Sequence, residues 1–181
     1  MHVNYWDAPD YKDAFAKKSF NDFLLRYQNL WNMKHAYAPT VVLNGTEWGG
    51  WSHGQEIPKI SPKDVGVLSV DGTKSEDHFL VEFAPSKEVD TYGLTAHATL
   101  LGFGLRSKPA EGENQGHLLS HDFIALIYQE QLLQLSYGVW TADFEISPKK
   151  MIHADQYAIV FWVTSGDNMR PIQVAGGYLP S

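Results

Sequence analysis

The sequence predicts a mainly β protein, an antiparallel β-sandwich or barrel preceded by an amphipathic α-helix. Apolar residues recur with helical spacing near the N-terminus, whereas short β-branched and aromatic segments dominate from residue 40 onward. Turn residues interrupt those segments every ~8–12 positions, as is typical of sandwiches and barrels. Because 181 residues suit one domain, we predict a single domain over 1–181, with a helical segment at 1–38 and a β part at 40–181.

The helical segment has one apolar stripe and signals for both of its ends. Asp7 suits an N-cap, and Pro9 suits a first helical turn. Pro39 disfavours helical backbone at the residue before it, so the helix is expected to end ahead of that proline. We expect the stripe to pack on the β part. Its members are Phe20, Phe23, Leu24, Tyr27, Leu30 and Trp31.

The β part is expected to contain about seven to nine strands. Asp71-Gly72 is a typical hairpin turn, and the apolar segment 155–164 is expected to lie centrally in its sheet. Within 140–147, one face should carry Trp140, Ala142, Phe144 and Ile146. The clearest predicted strands cover residues 40–44, 66–70, 78–83, 92–105, 140–147, 155–164 and 171–179.

Residues 117–137 fit two structures. Their leucines and Phe123 could line a helix, or FIALIY and LLQLSY could form two strands on either side of Gln129-Glu130. We favour strands, because strands are predicted on both sides of this segment.

Composition excludes several classes of site. The chain has no cysteine, which removes disulfides, thiolate metal sites and cysteine nucleophiles. A formal charge of −7 with only 14 lysines and arginines argues against nucleic acid as a partner. No apolar run reaches the roughly 18–20 residues of a membrane-spanning helix, and the acidic, aromatic N-terminus does not resemble a signal peptide. We therefore expect a soluble protein, without a cofactor and of undetermined compartment.

Histidines are the candidate catalytic or metal-binding residues. His117 and His121 could share a zinc ion if they lay on a helix, whereas on a strand about 13 Å of strand rise would separate them. His97 lies among small and apolar residues, where it is either a buried base or a hydrogen-bonded histidine within the sheet. Neither the G-x-S-x-G motif nor a phosphate-binding loop is present. No catalytic residue is therefore predicted, and His117 and His121 remain the alternative metal ligands.

Residues 44–54, NGTEWGGWSHG, form the most distinctive segment, which we name the tryptophan loop. Trp48 and Trp51 are separated by two glycines and are three positions apart, so both can point the same way. Tryptophan combines a large apolar surface with one polar N–H group. The loop is therefore either a packed corner of the fold or a contact surface, for which the candidate ligand-binding residues are Trp48, Trp51, His53 and Glu47.

The stretch GTEWGGWSHGQEIPKISPKDVGVLSVDG resembles the early strands of aegerolysins, in which a similar Trp/Gly–Pro–Ile–Pro progression leads into a strand. A helix ahead of a cysteine-free sandwich is also similar to the order of elements in actinoporins. The resemblance covers about 30 residues plus that order, and the chain reads TKSEDHF where aegerolysins have a glycine-rich segment. Both families are lipid-binding or pore-forming, so the resemblance implies a lipid partner.

Three functional hypotheses follow. The leading one is a non-enzymatic protein whose aromatic loops bind a lipid headgroup or a glycan, with a membrane-active toxin as one form of it. The second is a β-barrel enzyme or small-molecule carrier with an aromatic-lined pocket and a histidine-based site. The third is a structural or inclusion-forming protein that self-associates as a homo-oligomer through its final strands.

Overall fold

A computed structural model of the chain describes residues 1–4, 13–59, 63–72, 77–110, 114–148 and 151–180. Asp7 and Pro9, the predicted start of the helix, lie outside these ranges. The described residues form one α-helix, α1 (Lys18–Leu30), and a 3-10 helix at Gly49–His53. The strands are β1 (Val42–Leu43), β2 (Thr46–Glu47), β3 (Gly66–Gly72), β4 (His78–Pro85), β5 (Thr95–Phe103), β6 (Leu105–Ser107), β7 (Leu119–His121), β8 (Ile124–Leu132), β9 (Gln134–Ser136), β10 (Val139–Glu145), β11 (Gln156–Thr164) and β12 (Gln173–Tyr178).

The predicted amphipathic helix is confirmed, but it is shorter than the helical segment predicted at 1–38. It follows Lys17, which has extended backbone, and ends at Leu30. Asn32 adopts a left-handed backbone with φ of 51°, which an α-helix cannot continue through. Two members of the apolar stripe, Phe20 and Tyr27, are buried.

Two four-stranded sheets, in the orders β3-β4-β10-β9 and β12-β11-β5-β8, contain most of the strands. Their neighbouring strands are antiparallel, so the predicted mainly β, antiparallel character is confirmed. Among the residues that the structure describes, neither sheet closes on itself. Two short hairpins, β1-β2 and β6-β7, complete the pairings.

Apolar side chains from both sheets contribute to one core. The ring centroid of Phe161 on β11 lies 5.6 Å from that of Phe79 on β4 and 5.5 Å from that of Phe144 on β10. Ala142, Phe144 and Ile146 are buried, as the alternation in 140–147 predicted. The central position predicted for 155–164 is also confirmed, because β11 lies between β5 and β12. This position removes β11 as an exposed edge for self-association.

Two predictions for turns are wrong. Asp71 and Gly72 lie in β3 and pair with Leu80 and Phe79, so they belong to the strand ladder rather than to a turn. The favoured strands in 117–137 are present, but the break lies at Leu133 rather than at Gln129-Glu130. The chain leaves one large sheet after β8 and enters the other at β9, and the buried Leu133 between them belongs to the core.

Helix α1 contacts the β12-β11-β5-β8 sheet on the face opposite to Phe161. The ring of Phe23 lies 4.8 Å from that of Tyr128 on β8, and the Tyr27 hydroxyl donates to the Met169 carbonyl at 3.3 Å. Two members of the stripe, Phe23 and Tyr27, therefore contact residues of the β part. In the part of the chain that the structure describes, no helix has the length and apolarity needed to cross a membrane.

Candidate functional site

The tryptophan loop begins at the turn of the β1-β2 hairpin and includes β2. Its turn is Asn44-Gly45, with φ of 49° and 78°, and two consecutive left-handed residues suit a tight hairpin. Glycine is required at position 45 because a Cβ there would lie 2.5 Å from the Arg170 Cα atom. The Trp31 indole N–H donates to the Gly45 carbonyl at 3.1 Å, which attaches the hairpin to the end of α1.

The two tryptophans of the loop have different environments. Trp48 is half-buried, and its indole covers Gly50 so closely that a Cβ on Gly50 would lie 2.6 Å from Trp48 Nε1. Trp51 lies within the 3-10 helix and is 41% exposed. Trp48 thus packs against the loop backbone, while Trp51 presents apolar surface to solvent.

The polar candidates of the loop are exposed. Glu47 ends β2, and His53 ends the 3-10 helix. His53 Nδ1 lies 3.1 Å from Ser52 Oγ and 3.3 Å from the Gly49 carbonyl oxygen, so these local contacts engage one ring nitrogen. Beyond the loop, Ile57 is 66% exposed and adds apolar surface. Trp51, Glu47 and His53 are therefore all accessible to solvent within one short segment.

A second cluster, which we name the His97 network, lies where α1 contacts the β12-β11-β5-β8 sheet. His97 on β5 is fully buried, and it pairs with Glu130 of β8 on one side and with Trp162 of β11 on the other. Its Nδ1 lies 2.8 Å from the Tyr128 hydroxyl, and its Nε2 lies 2.9 Å from Thr164 Oγ1. The Trp162 ring stacks on the imidazole with a centroid distance of 5.1 Å and an interplanar angle of 7°.

Hydrogen bonds continue from Tyr128 to the surface and fix the proton on His97. The Tyr128 hydroxyl donates to Glu130 Oε2 at 2.6 Å, and Arg26 Nη1 of α1 donates to the same oxygen at 2.6 Å. Because the single hydroxyl proton of Tyr128 is directed at Glu130, His97 Nδ1–H must donate to the Tyr128 oxygen. His97 Nε2 then accepts from Thr164, which describes a neutral imidazole.

Burial sets the protonation states of the His97 network. Burial lowers the pKa of His97 to about 4, although the Glu130 carboxylate acts in the opposite direction. Burial and the carboxylate of Glu130 both raise the pKa of Tyr128. The pKa of Glu130 is lowered, since hydrogen bonds from Arg26 and Tyr128 outweigh the effect of its burial. His97 is therefore neutral near pH 7, beside an ionised carboxylate.

Of the two alternatives predicted for His97, a buried base or a hydrogen-bonded histidine within the sheet, this geometry corresponds to the second. Both ring nitrogens are engaged, and the side chain has no exposed surface, so no nitrogen remains for a substrate. No local sequence pattern indicates the partners of His97. Tyr128 and Glu130 lie on the same face of β8, which could be inferred only if residues 117–137 were assigned to strands. Arg26 lies outside the apolar stripe of α1, so the helical pattern does not indicate its contact with Glu130.

The alternative metal ligands are not a pair on one helix. His117 is exposed in the turn before β7, whereas His121 is half-buried at the end of that strand. The Nε2 atom of His121 lies 2.7 Å from Ser107 Oγ, and its ring contacts Phe15 with a centroid distance of 5.0 Å. Across the described ranges, no group of three or more histidine or acidic side chains is arranged to hold a metal ion.

Comparison with known proteins places the chain in a family. The model of a family described as "Protein of unknown function (DUF1223)" matches residues 1–164. Neither a curated protein nor a solved structure matches the chain. The matched region includes the tryptophan loop and the whole His97 network. Because the match covers most of its length, the chain belongs to the DUF1223 family.

Proposed function

We propose that this protein is a non-enzymatic carbohydrate-binding protein whose tryptophan loop contacts the sugar. The exposure of Trp51 carries the proposal, because an accessible indole offers a flat apolar face on which a sugar ring can stack. Glu47 and His53 flank it with polar groups able to bond hydroxyls, and binding sites typically combine aromatic surface with a few such groups. We further propose that the two large sheets are the layers of a β-sandwich, for which the contacts of Phe161 provide support.

Charge favours a sugar over a membrane as the partner. The chain carries a formal charge of −7, and Glu47 and Glu56 lie on either side of Trp51. Anionic lipid surfaces attract basic segments rather than acidic ones. Insertion of α1 into a bilayer would also require removing Phe20 and Tyr27 from their buried positions. The resemblance to aegerolysins and actinoporins, and the toxin that it implies, stay predictions that the experiment below addresses.

The histidine contacts make binding a better-supported function than catalysis. An acid/base group must reach the reacting atoms of a substrate. His97 is buried with both nitrogens hydrogen-bonded, and His121 bonds Ser107. An enzyme or small-molecule carrier therefore stays the second hypothesis, although neither large sheet closes into the barrel expected for it within the described residues and both His97 and His121 are engaged in hydrogen bonds.

Substitution of Trp51 tests the proposal. The wild-type protein is screened on a glycan array and against neutral and anionic liposomes, and the strongest glycan is then titrated by calorimetry. Trp51→Ala should weaken glycan binding at least about tenfold, which corresponds to about 1.4 kcal/mol. It should leave the melting temperature almost unchanged, since the residue is exposed.

Tyr137 provides a matched control, because it is a fully exposed aromatic residue in a different turn, between β9 and β10. Tyr137→Asn should bind the glycan like the wild type. Binding to liposomes but not to glycans would instead support the lipid hypothesis. A protein that binds neither, or a Trp51→Ala variant with wild-type glycan affinity, would contradict the proposal.

A further inference from the structure

A cleft of about 670 Å³ lies where four connecting segments meet, and we name it the end cleft. The β1-β2 turn, the residues before β3, the β4-β5 connection and the β11-β12 connection all contribute to it. This size falls within the range of small-molecule sites, roughly 300–1,000 Å³. The residues used below to infer its ligand are Asn44, Lys63, Asp90, Ser165, Asn168 and Arg170.

The charges of the end cleft differ from those of the molecule. Lys63 and Arg170 supply two cations against the single carboxylate of Asp90, although the chain as a whole has a formal charge of −7. Within the described ranges, neither cation has an ion-pair partner. One oxygen of Asp90 already accepts from the Tyr92 backbone N–H at 3.0 Å. The lining of the cleft therefore carries one net positive charge on an acidic protein, and Lys63 also lines an adjoining cleft with Asp64 and Glu88.

Hydrogen-bond donors also predominate in the end cleft. Asn168 Oδ1 accepts from the Arg170 backbone N–H at 2.9 Å, which leaves the amide NH₂ of Asn168 to donate. The guanidinium of Arg170 and the ammonium of Lys63 can only donate. These groups suit a ligand rich in acceptor oxygens, above all one with a carboxylate.

An exposed aromatic residue, Tyr92, is hydrogen-bonded to Asp90 and Ser165 of the end cleft. Tyr92 is 80% exposed, and its carbonyl accepts from Ser165 Oγ at 3.0 Å and from the Gly166 N–H at 3.0 Å. Its ring lies beside Gly166, where an added Cβ would approach Tyr92 Cδ1 to 3.8 Å. The two backbone bonds attach Tyr92 to the β11-β12 connection, which supplies Ser165, Asn168 and Arg170 to the cleft. An exposed aromatic ring close to the cleft suits an organic ring with an acidic substituent better than an inorganic anion.

We propose that the end cleft binds a sugar carrying a carboxylate, of the uronic acid type. This inference rests on the proposed function and specifies its ligand. Lys63 and Arg170 would bind the carboxylate, Asn44 and Asn168 the hydroxyls, and Tyr92 would stack on the ring. Asn44 also begins the tryptophan loop, and Trp51 is seven residues further along the chain, at most ~25 Å away. One oligosaccharide can therefore extend from the cleft towards the loop.

Pairs of ligands with and without a free carboxylate test this inference. Oligomers of galacturonate, of mannuronate and of hyaluronan are titrated by calorimetry, each alongside its methyl ester. We expect at least one acid to bind about tenfold more tightly than its ester, with an affinity that falls as salt rises. Arg170→Gln and Lys63→Gln should each remove most of this preference, whereas Lys108→Gln, a matched exposed cation outside the cleft, should retain it.

The outcomes separate this inference from the proposed function. Trp51→Ala should weaken the acid and its ester alike, while the cleft variants should weaken only the acid. If acids and esters bind equally, or if Arg170→Gln and Lys63→Gln keep the preference, the inference is wrong and carbohydrate binding through Trp51 stands. If none of these oligomers and no glycan on the array binds the protein, both proposals are overturned.

Discussion

At the residue scale, the tryptophan loop depends on two adjacent glycines with different roles. A Cβ on Gly50 would lie 2.6 Å from both Trp48 Nε1 and Gln55 Oε1, whereas a Cβ on Gly49 would have no heavy atom within 4 Å. Neither glycine has left-handed backbone, so alanine is compatible with both backbones. The absence of a side chain therefore matters at Gly50 and not at Gly49, although the two residues look equivalent in the sequence.

Alanine substitutions of these glycines form a matched pair. Gly50→Ala should displace the Trp48 indole, increase its exposure to water and lower the free energy of unfolding by about 1 kcal/mol, as overpacking does. Gly49→Ala should change neither property. Tryptophan fluorescence and urea denaturation measure both effects. Equal behaviour of the two variants would show that the indole does not rest on Gly50.

At the element scale, α1 is part of the folded structure rather than a detached helix. Phe20 is 1% exposed, and Tyr27 is also buried. The 3.6-residue periodicity predicted this element well, because the apolar stripe of a helix records the face that becomes buried. The helix ends ahead of Pro39, as predicted, but already at Leu30, since the left-handed backbone of Asn32 stops it there. Segment 117–137 has no such clear period, so only the neighbouring strands favoured the correct alternative.

Two substitutions in α1 test its docking. Phe20→Ala should lower the free energy of unfolding by about 3–5 kcal/mol, because it leaves a cavity beneath the helix. Leu25→Ala, on the exposed side of the same helix at 46% exposure, should change it by less than about 0.5 kcal/mol. Urea denaturation followed by circular dichroism provides the measurement. A similarly small effect of both substitutions would mean that α1 is not held on the sheet.

At the scale of the whole molecule, the two faces of the β12-β11-β5-β8 sheet make different contacts. One of its faces contributes Phe161 to the apolar core, while the opposite face contains the His97 network. Arg26 of α1 reaches Glu130 of β8 across this second interface. The molecule therefore joins its helix to its sheet through a polar network around a neutral, buried histidine, and its stability must depend on pH.

Stability should fall as pH falls from 7 to 5. The pKa of His97 is about 4 in the folded protein against an ordinary value of 6.5, so only the unfolded chain gains this proton within that range. The free energy of unfolding should decrease by about 2 kcal/mol from this residue, at about 1.36 kcal/mol for each unit of pKa difference. Among the groups facing His97, Glu130 titrates below this range and Tyr128 and Arg26 above it.

Chemical denaturation at several pH values measures this dependence. His97→Gln, which keeps a donor and an acceptor but does not titrate, should flatten the curve between pH 5 and 7. His53→Gln, which replaces an exposed histidine, should leave the slope unchanged. The assignment to His97 would fail if His97→Gln kept the full slope.

The sequence by itself determined the mainly β class, the amphipathic helix, the central position of β11 and the core face of β10. These features follow from local periodicity, because the period of the apolar residues records which face of an element is buried. It also identified the tryptophan loop, since two tryptophans separated by glycines are distinctive without any structure.

Only the tertiary structure decided which tryptophan is exposed, where 117–137 breaks, and what surrounds His97. Trp48 and Trp51 differ in exposure because the Trp48 indole packs on Gly50. The strands of segment 117–137 are interrupted at Leu133, which is buried in the core between β8 and β9. The His97 network joins residues 26, 97, 128, 130 and 164, and the end cleft joins residues from position 44 to position 173. Such groups meet through strand pairing and helix docking between distant segments, and local sequence patterns do not record those long-range contacts.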